Sequence, residues 1–389
     1  MAYLLRGAHV VDPQLGLDDV RDVLVDGEKI ACVGEGLQPP ADAEVVDASG
    51  KYLVPGLVDM HVHFRDPGFE YKETIESGAR AAVHGGFTDV ATMPNTDPVT
   101  DNGAEVRYQI DRARHAGFCH VRPIGALTVG EKGETLAEIG DMVMEGAVAF
   151  SDDGHGVQSA GMMRTCMEYV SQFDKVVSAH CEIESLTTHG VINEGRASTR
   201  LGMFGWPALG EELEIYRDIE LCRMTGCALH IAHISTEKGL ELVRAAKAEG
   251  LPVTCEVTPH HLFLSEDDIT DAYDTNLKMN PPLRRASDAE ALRAGPGRVP
   301  AAHGGGVGLV FNVSKKWGAV QFRAGRAISC VILAVTLLPA SWTPWTPWTP
   351  LDPLDPPALM LPDQRRIAPF LKRRLRLPRW RPTGLRNGA

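Results

Sequence analysis

Short runs in which apolar and polar residues alternate open the chain. LLRGAHVVDP, DVLVDGEKIACVGEG and AEVVDASGKYLVPG are separated by Gly, Asp and Pro turns, and an alternation of period two is that of strands with one buried face. Asp26-Gly27 stands between two apolar runs, which predicts a hairpin. Residues 1–53 therefore read as a small β-domain. From Leu53 the rhythm changes: an apolar run ends in polar residues, a helical stretch follows, and the cycle repeats. The predicted strands are residues 54–64, 86–95, 120–128, 146–154, 176–182, 228–235 and 252–261. KETIESGARAAVHG and TEKGLELVRAAKAEG show helical spacing between them, the second ending at a Gly C-cap.

Seven such cycles with apolar strands predict an α/β fold, a (β/α)₈ barrel of the TIM type over residues 54–293 that lacks a visible eighth strand. A doubly wound open sheet is the main alternative. No GxGxxG or P-loop follows any strand, which weakens it.

After Arg293 neither period survives. WTPWTPWTPLDPLDPP is a low-complexity run compatible with polyproline II, and KRRLRLPRWRP is basic. The net charge of −12 conceals this split: residues 1–295 hold 25 of 39 Lys and Arg but 48 of 51 Asp and Glu, a balance of −23, against +11 for the rest. That later segment has no glutamate and five of the six tryptophans. Residues 294–389 thus read as an atypical tail, disordered or out of frame, in preference to a nucleic-acid arm. The chain has no basic-then-apolar leader, CVILAVTLL is too short to span a bilayer, and eight cysteines form no CxxC pair. The expectation is a cytoplasmic protein with reduced thiols that engages neither membrane nor nucleic acid.

The sharpest chemical signal is His61-x-His63 at the end of the first barrel strand. Side chains at i and i+2 share a strand face, so two imidazoles can chelate one metal ion. A lone strand-end histidine is more often a satisfied hydrogen bonder. Here, however, Asp153 in FSDDG, His180 in SAHCE and His233 in IAHIST lie at later strand ends, the end where barrels place their chemistry. Period alone leaves open whether Asp152 or Asp153 points inward. Arg65 could grip a carboxylate, or form a surface ion pair. Asn95 and Asn280 have turn-forming alternatives beside Pro94 and Pro281, and His260 and His261 read as packing or outer-sphere residues.

PGLVDMHVHFRDPG, TMPNTDP, FSDDG, SAHCE, IAHIST, VTPHHL and KMNPPLR, in this order and spacing, resemble the motif series of dihydroorotase in the amidohydrolase superfamily, of the bacterial type with a bridging aspartate. The resemblance covers about residues 1–293. It implies two zinc sites, one held by His61, His63 and Asp153 and the other by Asp153, His180 and His233. Arg65 and Asn95 would contact the substrate carboxylate, with Asn280 on the ring side. The implied reaction is reversible cyclisation of N-carbamoyl-L-aspartate to L-dihydroorotate in pyrimidine biosynthesis. A homo-oligomer is expected, with aspartate transcarbamoylase as a partner.

The family's proton carrier is an aspartate at the end of strand 8, in an Asp-His-Ala-Pro-His type motif. No counterpart follows Arg293: His303 has no acidic neighbour, and Asp352, Asp355 and Asp363 each stand beside proline. The catalytic residue is therefore unassigned and the chain is expected to be impaired. Two other readings compete: a hydantoinase or allantoinase, and a noncatalytic structural subunit of aspartate transcarbamoylase.

Overall fold

The computed structural model describes residues 2–272, 274–295, 308–309, 327–330 and 333–336. These fall into two compact units, one containing residues 2–56 and the strands at 327–336, the other residues 57–295 and 308–309.

In the first unit, β1 (Ala2–Asp12) lies at the centre of the sheet. It pairs antiparallel with β2 (Leu17–Asp26) and parallel with β4 (Glu44–Asp47) and β5 (Tyr52–Pro55), and β2 continues to β3 (Lys29–Gly34). The hairpin expected at Asp26-Gly27 joins β2 to β3, with Gly27 at φ 60°. Tyr3, Leu5, Val10, Val23, Val25 and Leu53 form its core.

The second unit is a parallel sheet with helices between its strands. Its barrel strands are β6 (Leu57–Val62), β7 (Phe87–Thr92), β8 (His120–Gly125), β9 (Ala149–Phe150) and β10 (Val176–Ala179). A small side pair, β11 (Ile192–Asn193) and β12 (Gly205–Trp206), precedes β13 (Ala228–Ile231), β14 (Val253–Val257) and β15 (Gly308–Leu309). The sheet order is β15-β14-β13-β10-β9-β8-β7-β6. The helices are α1 (Ile75–His84), α2 (Gly103–Ala116), α3 (Ile139–Glu145), α4 (Ala160–Val170), α5 (Glu184–Thr187) and α6 (Arg196–Leu201). They continue with α7 (Ala208–Thr225), α8 (Glu237–Ala248), α9 (Pro259–Phe263) and α10 (Ala286–Ala294).

Local chemistry starts and stops these helices. Thr74 caps α1 by accepting from Ser77 N, and Thr236 caps α8 by accepting from Gly239 N, each satisfying an otherwise unpaired donor. Gly250, the expected stop after α8, has φ 84°, a conformation in which a side chain is strained. Within α1, a Cβ on Gly78 would stand 2.4 Å from the Phe64 ring. Glycine there lets α1 approach the strand end that carries the site.

All seven expected barrel strands form, with two changes. The run predicted as one strand over 54–64 is divided at Gly56, so that β5 belongs to the small sheet and β6 to the barrel sheet. The run 146–154 keeps only two ladder residues, because Gly146 turns the chain at φ 109° and Asp152 leaves the ladder to bind the loop at Leu127 and Thr128. In place of a missing eighth strand, the two residues of β15 pair parallel with β14 at Glu256↔Gly308 and Val257↔Leu309. Among the described residues no strand joins β15 to β6, so the parallel sheet curls without closing. On β6, Asp59 and His61 are buried while Val58 and Met60 on the opposite side are 55% and 39% exposed.

The expectation of a tail from residue 294 falls mostly outside the described residues. Within it are β16 (Ala327–Cys330) and β17 (Leu333–Thr336), an antiparallel pair whose second strand joins β5. Among the described residues no helix is long and apolar enough to cross a membrane.

The largest apolar cluster packs β9, β10, β13 and β14 against α3, α4, α7 and α8, with Phe150, Leu127, Met142 and Leu229 fully enclosed. Two methionines on α3 allow a controlled comparison. Met142 is fully buried and Met144 is 86% exposed. Met142→Ala is expected to lower stability by about 2–5 kcal/mol through the cavity it leaves, and Met144→Ala by less than about 0.5 kcal/mol. Chemical denaturation of the two variants measures the difference, and equal losses would show that this cluster is not the core.

Candidate metal centre

β6 delivers His61 and, just past its end, His63. Two residues later Arg65 adopts φ 62°, turning the chain across the mouth of the sheet. Asp153 follows β9, His180 follows β10, and His233 follows β13 at φ 33°. Left-handed backbone at non-glycine residues is costly and concentrates where a site needs it.

Asp153 is at the centre. His61 Nε2 lies 3.5 Å from its Oδ1 and His63 Nε2 lies 3.4 Å from its Oδ2. His180 Nδ1 and His233 Nε2 lie 3.6 and 3.5 Å from Oδ1. Nitrogen faces nitrogen within each pair, at 3.2 Å for His61 and His63 and 2.9 Å for His180 and His233. The opposite ring atoms of three of the four are tied outward, while His233 Nδ1 is buried without a hydrogen-bond partner among the described residues. His61 Nδ1 is 2.7 Å from Glu256 Oε1, His63 Nδ1 is 2.9 Å from Asn95 Oδ1, and His180 Nε2 is 3.2 Å from Glu182 Oε2. Asn95 Oδ1 also accepts from Arg65 Nη1 at 3.3 Å, and since arginine only donates, this oxygen can only accept from His63.

Protons held outward leave lone pairs facing inward, and two facing lone pairs need a proton or a cation between them. Burial disfavours charge on both His61 and His180, but Asp153 with Glu256 outweighs it for His61, which is held well above its ordinary value. Asp153 with Glu182 does the same for His180, raised to about 9. Their partners go the other way. Burial, with the neighbouring His61 and Arg65 charges, takes His63 down to about 3, and burial with the His180 and His61 charges lowers His233. Burial would raise Asp153, but the surrounding imidazoles hold it well below the usual carboxylate range.

The donor set fits zinc. Two nitrogens bound to one tetrahedral zinc at about 2.0–2.1 Å would lie roughly 3.4 Å apart, close to the spacings found here. His61, Asp153 and His233 offer donor atoms all within 4.8 Å of one another. Asp153 Oδ1 is buried without a hydrogen-bond partner of acceptable geometry, as expected for an atom reserved for a cation.

The structure brings His61, His63, Arg65, Asn95, Asp153, His180 and His233 together. Asn95 Nδ2 donates to the Asp153 carbonyl at 3.2 Å, so this amide braces the cluster. The choice between the two aspartates falls to Asp153, because Asp152 Oδ1 accepts from Leu127 N and Thr128 N at 2.8 and 3.1 Å. Asn280 is exposed, and among the described residues no hydrogen bond joins it to the cluster. His261 is a packing residue bonded to Thr258 and to the Pro281 carbonyl. Three residues escape the sequence reading. Glu182 and Glu256 orient imidazoles. Arg284, in KMNPPLR, is buried and donates to Ser235 Oγ, Glu211 Oε2, Asn193 Oδ1 and the Trp206 carbonyl. A glutamate within the apolar run VTCEV was the available signal for Glu256.

A family model described as dihydro-orotase-like matches residues 50–239. The dihydroorotase of Pelobacter propionicus is 51% identical over 295 residues, covering 76% of this chain and 69% of that protein. The dihydroorotase of Pelotomaculum thermopropionicum is 52% identical over the same length, covering 76% and 68%. Among solved structures, the L-hydantoinase (dihydropyrimidinase) of Arthrobacter aurescens superimposes with a TM-score of 0.65 at 24% identity, covering 75% of this chain and 65% of that one. A D-hydantoinase of Thermus sp. gives 0.63 at 26%, covering 75% and 66%.

Proposed function

Since the chain belongs to the dihydroorotase family, we propose that its site is built for the reversible, zinc-dependent interconversion of N-carbamoyl-L-aspartate and L-dihydroorotate, a step of pyrimidine biosynthesis in the cytoplasm. One observation carries this reading: a buried bridging carboxylate ringed by four imidazoles, with Arg65 and Asn95 beside it.

His61, His63 and Asp153 would hold one zinc, and Asp153, His180 and His233 a second. Bound there, zinc supplies a hydrolytic nucleophile at neutral pH and polarises the ring carbonyl. The protein's own groups set the geometry. Asn95 Oδ1 keeps a proton on His63 Nδ1, and Glu182 Oε2 keeps one on His180 Nε2, so each ring presents the other nitrogen inward. Arg65 offers a planar guanidinium to the substrate carboxylate, and Asn280 is assigned to the ring side. Residues 54–293 would carry this site, with 1–53 an accessory β-domain and 294–389 contributing none of it. A homo-oligomer and association with aspartate transcarbamoylase complete the reading.

Arg65 separates this reading from a hydantoinase-like one, because hydantoin offers no carboxylate for a guanidinium to grip. Calorimetric titration of the zinc-loaded protein is expected to show binding of L-dihydroorotate in preference to hydantoin and allantoin. Arg65→Gln should weaken that binding about 10–100-fold, the worth of a charge-assisted pair, without loss of zinc. A preference for hydantoin, or unchanged affinity in the variant, would overturn the assignment.

A further inference from the structure

Glu256 belongs to the seventh barrel strand, β14, and His61 to the first, β6. In a closed barrel an eighth strand's backbone ladder would connect these two strands. Here the parallel sheet ends at β15 on one side and β6 on the other. The Glu256 side chain reaches between them: its Oε1 is 2.7 Å from His61 Nδ1 and accepts from the backbone N–H of His233 at 3.3 Å. Its other oxygen lies 3.2 Å from His230 Nε2, whose Nδ1 is 2.8 Å from Thr254 Oγ1. The carboxylate is almost wholly enclosed.

We infer that Glu256 is the positioning residue of the metal centre: it fixes the His61 tautomer and holds the first and sixth barrel strands at a common distance from Asp153. The inference rests on the metal reading given above. The argument is one of proton placement. An imidazole ligates through the nitrogen that carries no proton, and a carboxylate against Nδ1 keeps the proton there and directs the Nε2 lone pair inward. The same oxygen binds the His233 N–H, so both metal sites share one anchor. A buried carboxylate among strands is costly unless it is paired. His61 Nδ1 lies against one of its oxygens and His230 Nε2 near the other.

The test compares zinc affinity, by competition with a chromophoric chelator, in the full chain, Glu256→Gln and Glu256→Ala. The thermal midpoint of each metal-free protein is measured alongside. Glu256→Ala is expected to bind zinc about 10–100-fold more weakly. Glu256→Gln, which can still accept from Nδ1–H through its amide oxygen, should recover part of that loss. In cobalt-loaded protein, the visible bands of Glu256→Ala should shift, because His61 is no longer held in one tautomer.

Unchanged zinc affinity in Glu256→Ala, with the parent chain binding zinc, would overturn the inference alone. So would an equal fall in affinity for Gln and Ala accompanied by equal losses of metal-free stability, since that is what a purely structural carboxylate gives. A parent chain that takes up no zinc would overturn the metal reading itself, and this inference with it.

Discussion

A protein of these 389 residues is expected to turn over L-dihydroorotate about 10²–10⁴-fold more slowly than the Pelobacter propionicus dihydroorotase under matched zinc loading, the range that a positioned proton carrier contributes. Four imidazole nitrogens lie 3.4–3.6 Å from the Asp153 carboxylate, the arrangement proposed to hold zinc. The sequence after Arg293 contains no Asp-His-Ala-Pro-His motif, and its three aspartates each stand beside proline. The matched length of 295 residues equals the length of chain that precedes the change in composition. Replacing residues 296–389 with the C-terminal segment of that relative should bring kcat back to within about tenfold of it. Turnover by the unaltered chain within tenfold of the relative would refute both the lost proton carrier and the functional cost of the open sheet.

The second large effect concerns two adjacent aspartates with different duties. Asp153→Ala is expected to weaken zinc binding by at least about 100-fold, beyond the 10–100-fold typical of losing an outer-sphere partner, because both metal positions lose their shared carboxylate. Asp152→Ala should leave zinc affinity within tenfold and instead cost about 1–3 kcal/mol of folding stability, since it strands the donors at Leu127 and Thr128. Chelator competition and denaturation, run on both variants, separate the two roles. If Asp152→Ala lost the metal and Asp153→Ala kept it, the bridge would be assigned to the wrong residue.

How much of this could be read from the residues alone follows from the range of each signal. Apolar runs report burial locally, so all seven barrel strands and the β2–β3 hairpin were legible. Boundaries were less so: Gly56 divides one apparent strand between two sheets, a difference made by pairing partners and not by composition. The two-residue period placed His61 and His63 on one face but could not choose between Asp152 and Asp153. That choice depends on where the loop at Leu127 and Thr128 offers its donors. Glu256 and Arg284 went unread for a related reason. Their partners are 195 and up to 91 positions away, so even the glutamate set in the apolar run VTCEV signals a buried charge without naming the counterpart it meets once the sheet has curled. β15 lies in sequence where no α/β rhythm could be drawn, and its two residues are visible only through their register with β14.

Among the described residues β6 is paired in the barrel sheet on one side only, with β7. A strand edge accepts hydrogen bonds from any polypeptide of suitable alternation, whether or not it belongs to the same molecule. Val58 and Met60 lie uncovered behind it, so both the backbone and one side-chain face of this strand are accessible among the described residues. Such an edge is open to pairing with copies of the same chain, so solubility would be governed by this one strand.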